Sequence, residues 1–140
     1  MSDPMLSVLE KVLALSSSSL FAGLAGEELY PVAEIAQPTA VARGNVVVRE
    51  GDPGDALFVV MDGRFEIKKG EKTLRSIERG AVFGELALLD GAPRAATIVA
   101  SDDGTLLRIP REQFEALLDE SPELARGVIR TLLGHLRGTS

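Results

Sequence analysis

The chain has 140 residues, with 21 Asp and Glu against 15 Lys and Arg, so its formal net charge is −6 at pH 7. The length is that of one domain that buries its own core. The absence of cysteine excludes disulfides and thiol catalysis, and a single histidine, His135, excludes histidine-cluster metal sites.

The composition also limits the kinds of partner that the chain can bind. The acidic balance argues against a nucleic-acid-binding protein, which needs a basic face. No apolar run approaches the ~20 residues that cross a bilayer, and the start Met1-Ser-Asp-Pro4 lacks the basic region of a signal peptide. We therefore expect one soluble, cytoplasmic domain over residues 1–140, without a membrane segment, metal or cofactor. The same features suit a module of a longer or membrane-bound protein.

The first helix is predicted from its capping residues. Asp3 and Pro4 suit the N-cap and the first position of a helix that we expect to run from Met5 to Leu15. Its apolar face would consist of Leu6, Leu9 and Leu13, flanked by Met5 and Val12.

A second helix completes the predicted helical segment, residues 1–37. A bend over Ser16 to Ser19 precedes it, and we expect the helix itself to run from Glu27 to Ile35. Pro31 would lie near its first turn, where proline is tolerated.

The spacing of apolar residues is no longer helical over residues 38–110. Short runs that are apolar, or that alternate apolar and polar residues, are separated there by residues typical of turns. The predicted strands are Thr39–Val41, Val46–Arg49, Ala56–Met61, Arg64–Lys68, Lys72–Ile77, Ala95–Ala100 and Thr105–Ile109. Many short strands with glycine-rich turns are typical of a sandwich or barrel. The acidic segment Glu50 to Asp55 lacks the spacing of a calcium-binding loop, so we predict a turn there.

Over residues 111–140 the apolar residues again recur at the spacing of a helix. We predict a helix from Arg111 to Asp119 and a longer one with Ser121 as its N-cap. The apolar stripe of the longer helix consists of Leu124, Val128, Leu132 and Leu136, widened by Ile129 and Leu133. Gly127 and Gly134 weaken this helix by up to ~1 kcal/mol each relative to Ala. Such a pattern suits a helix that docks and undocks, and equally a plain terminal helix that frays.

The segment Val82 to Ile98 has strand-like ends and a different middle. Gly84 predicts a tight turn, and Glu85 to Leu89 is a helix-forming run that Asp90-Gly91 ends. The free N–H groups at the start of a one-turn helix attract an anion. The guanidinium of Arg94, a permanent cation with several donors, would lie at the same end of this helix.

Glu85 is a hydrogen-bond acceptor suited to a sugar hydroxyl beside the anion. A cation, a row of N–H donors and a carboxylate together predict a site for a small nucleotide held by its sugar-phosphate end. Taken singly, Glu85 is more often a helix-capping residue and Arg94 a solvated surface charge. Their spacing in a glycine- and proline-rich frame favours the binding site.

This segment, Phe83-Gly-Glu-Leu-Ala-Leu-Leu-Asp-Gly-Ala-Pro-Arg-Ala-Ala-Thr97, resembles the phosphate-binding cassette of cyclic nucleotide-binding domains. The likeness includes the turn at Glu50 to Asp55 and covers nearly the whole chain. It implies a mainly β fold with flanking α-helices. Residues 38–110 would form a double-stranded β-helix, or jelly-roll β-roll, with the cassette at 83–97, N-terminal helices before it and two C-terminal helices after it.

The resemblance also implies a role for each site residue. Glu85 would bind the ribose 2′-hydroxyl, and Arg94 would bind the exocyclic phosphate oxygens. The backbone N–H groups of Leu86, Ala87 and Ala95 would complete the phosphate cradle. Without ligand, we expect Arg94 to lie near Glu85 with its hydrogen-bonding partner missing.

The walls for the base are predicted from apolar positions. Val82, Phe83 and Leu86 lie nearest to the cassette in sequence. Ile67 and Val60 follow from strand alternation, although each taken alone is more often an ordinary core residue.

The residue after the cassette arginine bears on the choice of base. In relatives that favour cyclic GMP it often carries a hydroxyl, whereas here Ala95 and Ala96 carry none. An alanine neither selects a hydrogen-bonding analogue nor strongly rejects it. We expect cyclic AMP (cAMP) as the ligand in preference to cyclic GMP (cGMP).

The cap over the base is predicted in the last helix. When this helix is aligned with the long helix of an activator protein of the family, His135, Thr139 and Ser140 fall at base-contacting positions. A histidine can stack on a base or hydrogen-bond to it. The alternative is an apolar cap that consists of Leu132, Leu133 and Leu136.

We expect a sensor module that regulates an attached or partner effector, by ligand-favoured closure of the last helix or by homodimer formation along it. The alternative is an interaction domain of the same fold that binds no nucleotide, against which the paired Glu85 and Arg94 argue. An enzyme is not expected, because phosphodiesterase chemistry would need a metal or a histidine base, and the one histidine is His135.

Overall fold

The computed structural model describes residues 7–85 and 91–138, and side chains as far as residue 134. Helices α1 (Val8–Ser16) and α2 (Gly26–Ile35) come first. The strands are β1 (Gln37–Val41), β2 (Val46–Val48), β3 (Ala56–Asp62), β4 (Phe65–Lys69), β5 (Lys72–Ile77), β6 (Val82–Phe83), β7 (Thr97–Ala100) and β8 (Gly104–Pro110). Helices α3 (Arg111–Glu120) and α4 (Pro122–Gly138) follow.

The strands form two four-stranded sheets in which every described pairing is antiparallel. One sheet has the order β1-β8-β3-β6, and the other has the order β2-β7-β4-β5. Apart from the hairpin of β4 and β5, neighbouring strands come from distant parts of the chain, as in a jelly roll. The predicted class, mainly β with flanking helices in a jelly-roll β-roll, is confirmed.

Alternation along β3 and β8 divides the core in two. Leu57, Val59, Leu107 and Ile109 pack with buried residues of all four helices. Phe58, Val60 and Leu106 point the other way and pack with Phe65, Ile77 and Ile98 between the sheets. The first sheet is therefore buried on both faces, which explains the almost unbroken apolar run of β3.

The start of α1 differs from the prediction. Ser7, and not Asp3, is the N-cap: its Oγ accepts a hydrogen bond from the Glu10 N–H at 3.1 Å, and the Glu10 carboxylate accepts one from the Ser7 N–H at 3.3 Å. This capping box is the Ser-x-x-Glu signature, which competes well with an Asp-Pro start. Asp3 lies outside the described residues.

The apolar face of α1 was also predicted wrongly. Val12 and Leu15 are its buried residues, whereas Leu9 and Leu13 are exposed. The helix is short and has apolar residues around much of its circumference. The spacing of these residues therefore does not show which face packs on α2.

Helix α2 agrees with its predicted range, but Pro31 lies in the second turn and not in the first. A proline there cannot donate to the carbonyl four residues earlier, at Glu27. Leu29, Val32 and Ala33 are buried, and their packing holds the helix despite the missing hydrogen bond.

The C-terminal helices begin as predicted. Ser121 caps α4, since its Oγ accepts a hydrogen bond from the Leu124 N–H at 3.2 Å. Leu124 and Val128 are buried. Ile129 and Leu133, which were predicted to widen the apolar stripe, are exposed to solvent. No helix among the described residues is long and apolar enough to span a bilayer.

Around Gly127, helix α4 packs closely on the turn after α1. At Gly127 a Cβ atom would overlap the Leu24 side chain, whereas at Gly134 a Cβ atom would meet nothing within 4 Å. Gly127 therefore has a packing reason that the sequence did not reveal. Gly134 has none among the described residues, and the weakening of the helix at Gly134 stays a prediction.

Candidate functional site

The predicted cassette starts on β6, which pairs with β3 so that Phe83 lies opposite Phe58. The two rings stack with centroids 4.9 Å apart and planes 16° from parallel. Such a pair stabilises more than its buried area alone. It fixes the point at which the chain leaves the sheet and enters the site.

Gly84 makes the turn that the sequence predicted. Its φ of +89° lies in the left-handed region, and a Cβ atom there would be 2.5 Å from Arg94 Nη1 and 2.9 Å from the Ala56 carbonyl oxygen. Glycine is required both by the backbone conformation and by the close approach of the arginine.

The backbone of Arg94 is fixed by the turn at residues 50–55. The Arg94 N–H donates to the Asp52 carbonyl at 2.8 Å, and the Gly51 N–H donates to the Arg94 carbonyl at 2.9 Å. The segment predicted as a turn thus holds the cassette from outside it.

The Arg94 side chain is almost fully buried. Its guanidinium pairs with the Asp55 carboxylate, with 3.3 Å between Nη2 and Oδ1, and its Cζ lies 5.7 Å from the centre of the Phe58 ring. Burial lowers the pKa of Arg94 from its ordinary value, and the attraction of Asp55 opposes that shift.

The second terminal nitrogen of Arg94, Nη1, is buried and has no hydrogen-bond partner within residues 7–85 and 91–138. The expectation that Arg94 lacks a partner is therefore half right. Asp55 satisfies one side of the guanidinium fork, and this carboxylate was not foreseen. The sequence distance of 39 residues between the two hides the pair from local pattern reasoning.

Glu85 has a helical backbone conformation and is partly buried. Its Oε2 atom is buried without a hydrogen-bond partner in the described part of the chain. Buried acceptors in native proteins nearly always have partners, so an unpaired carboxylate oxygen on a cavity wall points to a ligand donor.

A cavity of about 460 Å³ brings the predicted residues together. Among predicted site residues, its lining includes Phe83, Gly84, Glu85, Arg94, Ala95 and Ala96. Apolar walls come from Val48, Ile67, Val82 and Ile98. The volume lies in the range of small-ligand pockets. The prediction for Val60 was wrong, because it does not line this cavity and its side chain is buried in the core between the sheets.

Three residues of this region escaped the sequence reasoning. Asp55 and Phe58 orient Arg94, and Arg75 of β5 lines the cavity across from the cassette. Arg75 was partly predictable, because it pairs in the sheet with Ile67. Ile67 was already predicted to line the pocket for the base.

Arg75, Glu85 and Val82 also line a second, smaller cavity of about 160 Å³, which Leu132 of α4 closes. The last helix thus comes close to Glu85 and Arg75, whereas the apolar cap over a base that includes Leu132 stays a prediction. Leu133 is exposed and does not contribute. The predicted roles of Leu86, Ala87, Leu136, Thr139 and Ser140, and of the His135 side chain, lie outside the described residues.

Metal ligands are not grouped in the described residues: no set of three or more His, Asp or Glu side chains there could hold a metal ion. The cavity instead presents a buried cation, an unpaired carboxylate oxygen and apolar walls. Such a combination suits an organic anion that carries a hydroxyl group.

Comparison with known proteins agrees with this geometry. Residues 38–121 match the family model described as the cyclic nucleotide-binding domain. The chain is 35% identical over 118 residues to a cAMP-dependent protein kinase regulatory subunit of Hypocrea atroviridis, covering 84% of this chain and 24% of that protein. It is 34% identical over 128 residues to the cyclic AMP receptor protein of Thermus thermophilus, covering 88% and 59%.

A solved structure is similar as well. The regulatory domain of Toxoplasma gondii protein kinase A, crystallised with cAMP, is 32% identical, with a TM-score of 0.73 over 79% of this chain and 44% of that one. The chain belongs to the cyclic nucleotide-binding domain family. It spans about a quarter of the kinase subunit and less than two thirds of the receptor protein.

Proposed function

We propose that this domain is a sensor that binds cAMP in the 460 Å³ cavity between the cassette and the second sheet. One observation carries the proposal: the same cavity is lined by a buried arginine and a partly buried glutamate, whose buried Nη1 and Oε2 atoms have no hydrogen-bond partner in the part of the chain that the structure describes. A cyclic phosphate and an adjacent ribose hydroxyl supply the acceptor and the donor that these atoms lack.

Each residue then has a defined part. Arg94 binds the exocyclic phosphate oxygens, and the N–H groups of Leu86, Ala87 and Ala95 complete the cradle. Glu85 accepts a hydrogen bond from the ribose 2′-hydroxyl. Phe83, Ile67 and Val82 enclose the sugar and the base, and Gly84 leaves room for the guanidinium.

The choice of cAMP is supported by two observations. Ala95 and Ala96 offer no hydroxyl to guanine, and both line the cavity. The similar kinase subunit and receptor protein are named for cAMP, and the similar kinase structure was solved with it. The base would be covered from α4, with Leu132 or His135 as the contacting residue.

A second candidate ligand is cGMP, and Arg75 is the observation that favours it. Arg75 is a second arginine among the residues that line the cavity. Arginine pairs well with the adjacent O6 and N7 acceptors of guanine, whereas adenine presents an amino group in place of O6.

The output would pass through α4. Its Leu132 closes the small cavity behind Glu85, while Ile129 and Leu133 present an apolar strip to solvent. We propose that ligand stabilises the docked helix and that the exposed strip contacts an effector or a second copy of the chain. The domain regulates its partner and catalyses no reaction in this proposal.

Calorimetric titration of the folded, ligand-free protein with cAMP and with cGMP tests the proposal. Tighter binding of cAMP supports it, and tighter binding of cGMP selects the second candidate. A folded protein that releases no heat with either nucleotide, and whose melting temperature neither nucleotide raises, would be an interaction domain of this fold. Ligand at one hundred times its Kd should add about 2.7 kcal/mol to the stability, so the melting shift is easily seen.

A further inference from the structure

The Asp55 carboxylate lies between two arginines. Its Oδ1 is 3.3 Å from Arg94 Nη2, and its Oδ2 is 3.3 Å from Arg108 Nη2. The Arg94 side chain is 4% exposed, that of Arg108 is 32% exposed, and that of Asp55 is 70% exposed. One carboxylate therefore joins the buried cation of the site to a cation outside the site.

Arg108 is itself held by the sheet. On β8 it lies opposite Phe58 of β3 on one side and opposite Gln37 of β1 on the other. Its Nη1 donates to Gln37 Oε1 at 3.1 Å, while Nη2 reaches Asp55. Arg108 thus belongs to the same cross-strand row as the ring that lies beneath Arg94.

This arrangement matters when an anion enters. A phosphate on the free side of Arg94 would come close to the Asp55 carboxylate on the other side of the same guanidinium, and two anions near each other repel. With Arg94 as its only cation, Asp55 would also compete with the phosphate for that guanidinium. A second arginine on Oδ2 lessens both effects.

We propose that Arg108 is a positioning residue for phosphate binding: it holds and offsets the Asp55 carboxylate, so that Arg94 is free to turn its fork toward the ligand. This inference rests on the proposed binding of a cyclic nucleotide at Arg94. Arg108 lines neither the large nor the small cavity described above, so its main route to the ligand is through Asp55.

The test is calorimetric titration of the whole protein with cAMP. Replacing Arg108 by glutamine should weaken binding about threefold to tenfold, the scale of a partly exposed ion pair that acts on a charged ligand. Arg108→Lys keeps the charge and should recover most of the affinity. Arg64→Gln is the matched control, because Arg64 forms an exposed ion pair with Glu78 at 3.2 Å and lines neither cavity. Its affinity should equal that of the wild type.

A double-mutant cycle separates this role from a merely structural one. In an Asp55→Asn background there is no carboxylate to offset, so adding Arg108→Gln should change the affinity less than twofold. Thermal unfolding without ligand would confirm that each variant is folded at the titration temperature. Should the glutamine variant not fold, Arg108→Met, which also removes the charge and keeps an unbranched side chain, is put through the same cycle with the same expectation of a smaller effect in the Asp55→Asn background.

The outcomes distinguish this inference from the proposed function. If the wild type binds and Arg108→Gln binds equally well, or loses as much affinity in the Asp55→Asn background, Arg108 does not act through Asp55 and this inference alone is overturned. A lysine variant as weak as the glutamine variant overturns it too, because charge is then not what Arg108 supplies. A wild-type protein that binds no cyclic nucleotide overturns both.

Discussion

Arg94 and Asp55 are joined across 3.3 Å, although the arginine side chain is 4% exposed and the aspartate side chain 70% exposed. The carboxylate lies at the surface and reaches inward to a cation that the fold has buried. Because a buried guanidinium without partners is costly, the pair lets the protein keep a cation in an apolar cavity. Within residues 7–85 and 91–138 only one side of the guanidinium has a partner, and in the proposed function the other side binds the ligand.

Arg94→Ala should therefore lower the affinity for cAMP by about 2–5 kcal/mol, which is from about 30-fold to several thousandfold, since it removes the buried cation of the phosphate site. Arg94→Lys should recover only part of this loss, because an ammonium group cannot serve Asp55 and the phosphate in forked geometry. Calorimetric titration measures both variants, and circular dichroism confirms that they are folded. An unchanged affinity in Arg94→Ala would refute the site assignment.

Glu85→Gln should weaken binding of cAMP by about 1.5–3 kcal/mol, because the ribose 2′-hydroxyl loses a charged acceptor. The matched control is the ligand 2′-deoxy-cAMP, whose affinity should be nearly the same for the variant and the wild type. Competition titration with both nucleotides measures the difference. Equal losses for the two ligands would mean that Glu85 does not contact the ribose.

Gly84→Ala should lower both stability and affinity. The new Cβ would be forced into a left-handed conformation and placed 2.5 Å from Arg94 Nη1, so the guanidinium must move. Gly44→Ala is the control, since Gly44 has the same φ of +89° but nothing within 4 Å of its Cβ position. Each variant should lose about 1–2 kcal/mol through backbone strain. Only Gly84→Ala should also bind cAMP at least tenfold more weakly, and similar affinities in the two variants would argue against crowding of Arg94.

The two glycines of α4 should respond to alanine in opposite directions. Gly134→Ala should stabilise the protein by up to ~1 kcal/mol, because the new methyl group meets none of the described atoms within 4 Å and alanine has the higher helix propensity. Gly127→Ala should destabilise it by about 1–3 kcal/mol, because the methyl group overlaps Leu24 and the helix must shift. Urea unfolding monitored by circular dichroism gives both values. A stabilised Gly127→Ala variant would show that Leu24 yields without cost.

Arg75→Gln should change the ratio of cGMP to cAMP affinity. If the guanidinium contacts the base edge, the substitution removes a pairing that is worth about 1–3 kcal/mol for guanine and little for adenine. The expected result is a loss of cGMP affinity of at least fivefold with cAMP affinity nearly unchanged. Competition titration with both nucleotides provides the ratio, and a parallel loss for both would place Arg75 against the sugar or the phosphate.

Local patterns predicted much of this fold. The strands of residues 38–110 were found because period-two alternation and glycine-rich turns act within a few residues, and Ser121 was found because a cap is a local hydrogen bond. That Gly84, Glu85 and Arg94 line one cavity was predictable for a similar reason, since they lie close together in one segment.

Contacts between distant segments were not predictable in this way. Asp55 reaches Arg94 across 39 residues and Arg108 across 53 residues, and nothing in the neighbourhood of either arginine marks its partner. The buried face of α1 was missed because Leu9 and Leu13 recur at helical spacing yet are exposed, while Val12 and Leu15 meet α2. Which apolar face is covered depends on the element that packs there.

The position of β5 has a further consequence. It is the outer strand of its sheet, and nearly all its side chains are exposed, including the apolar Leu74. An open strand edge invites pairing with another chain, and charged residues such as Lys72 and Arg75 discourage it. Arg75 therefore serves colloidal stability as well as lining the cavity. An apolar substitution at this position would remove one of these charges from an edge that already exposes Leu74, so the aggregation of such a variant has to be measured before a loss of binding is inferred.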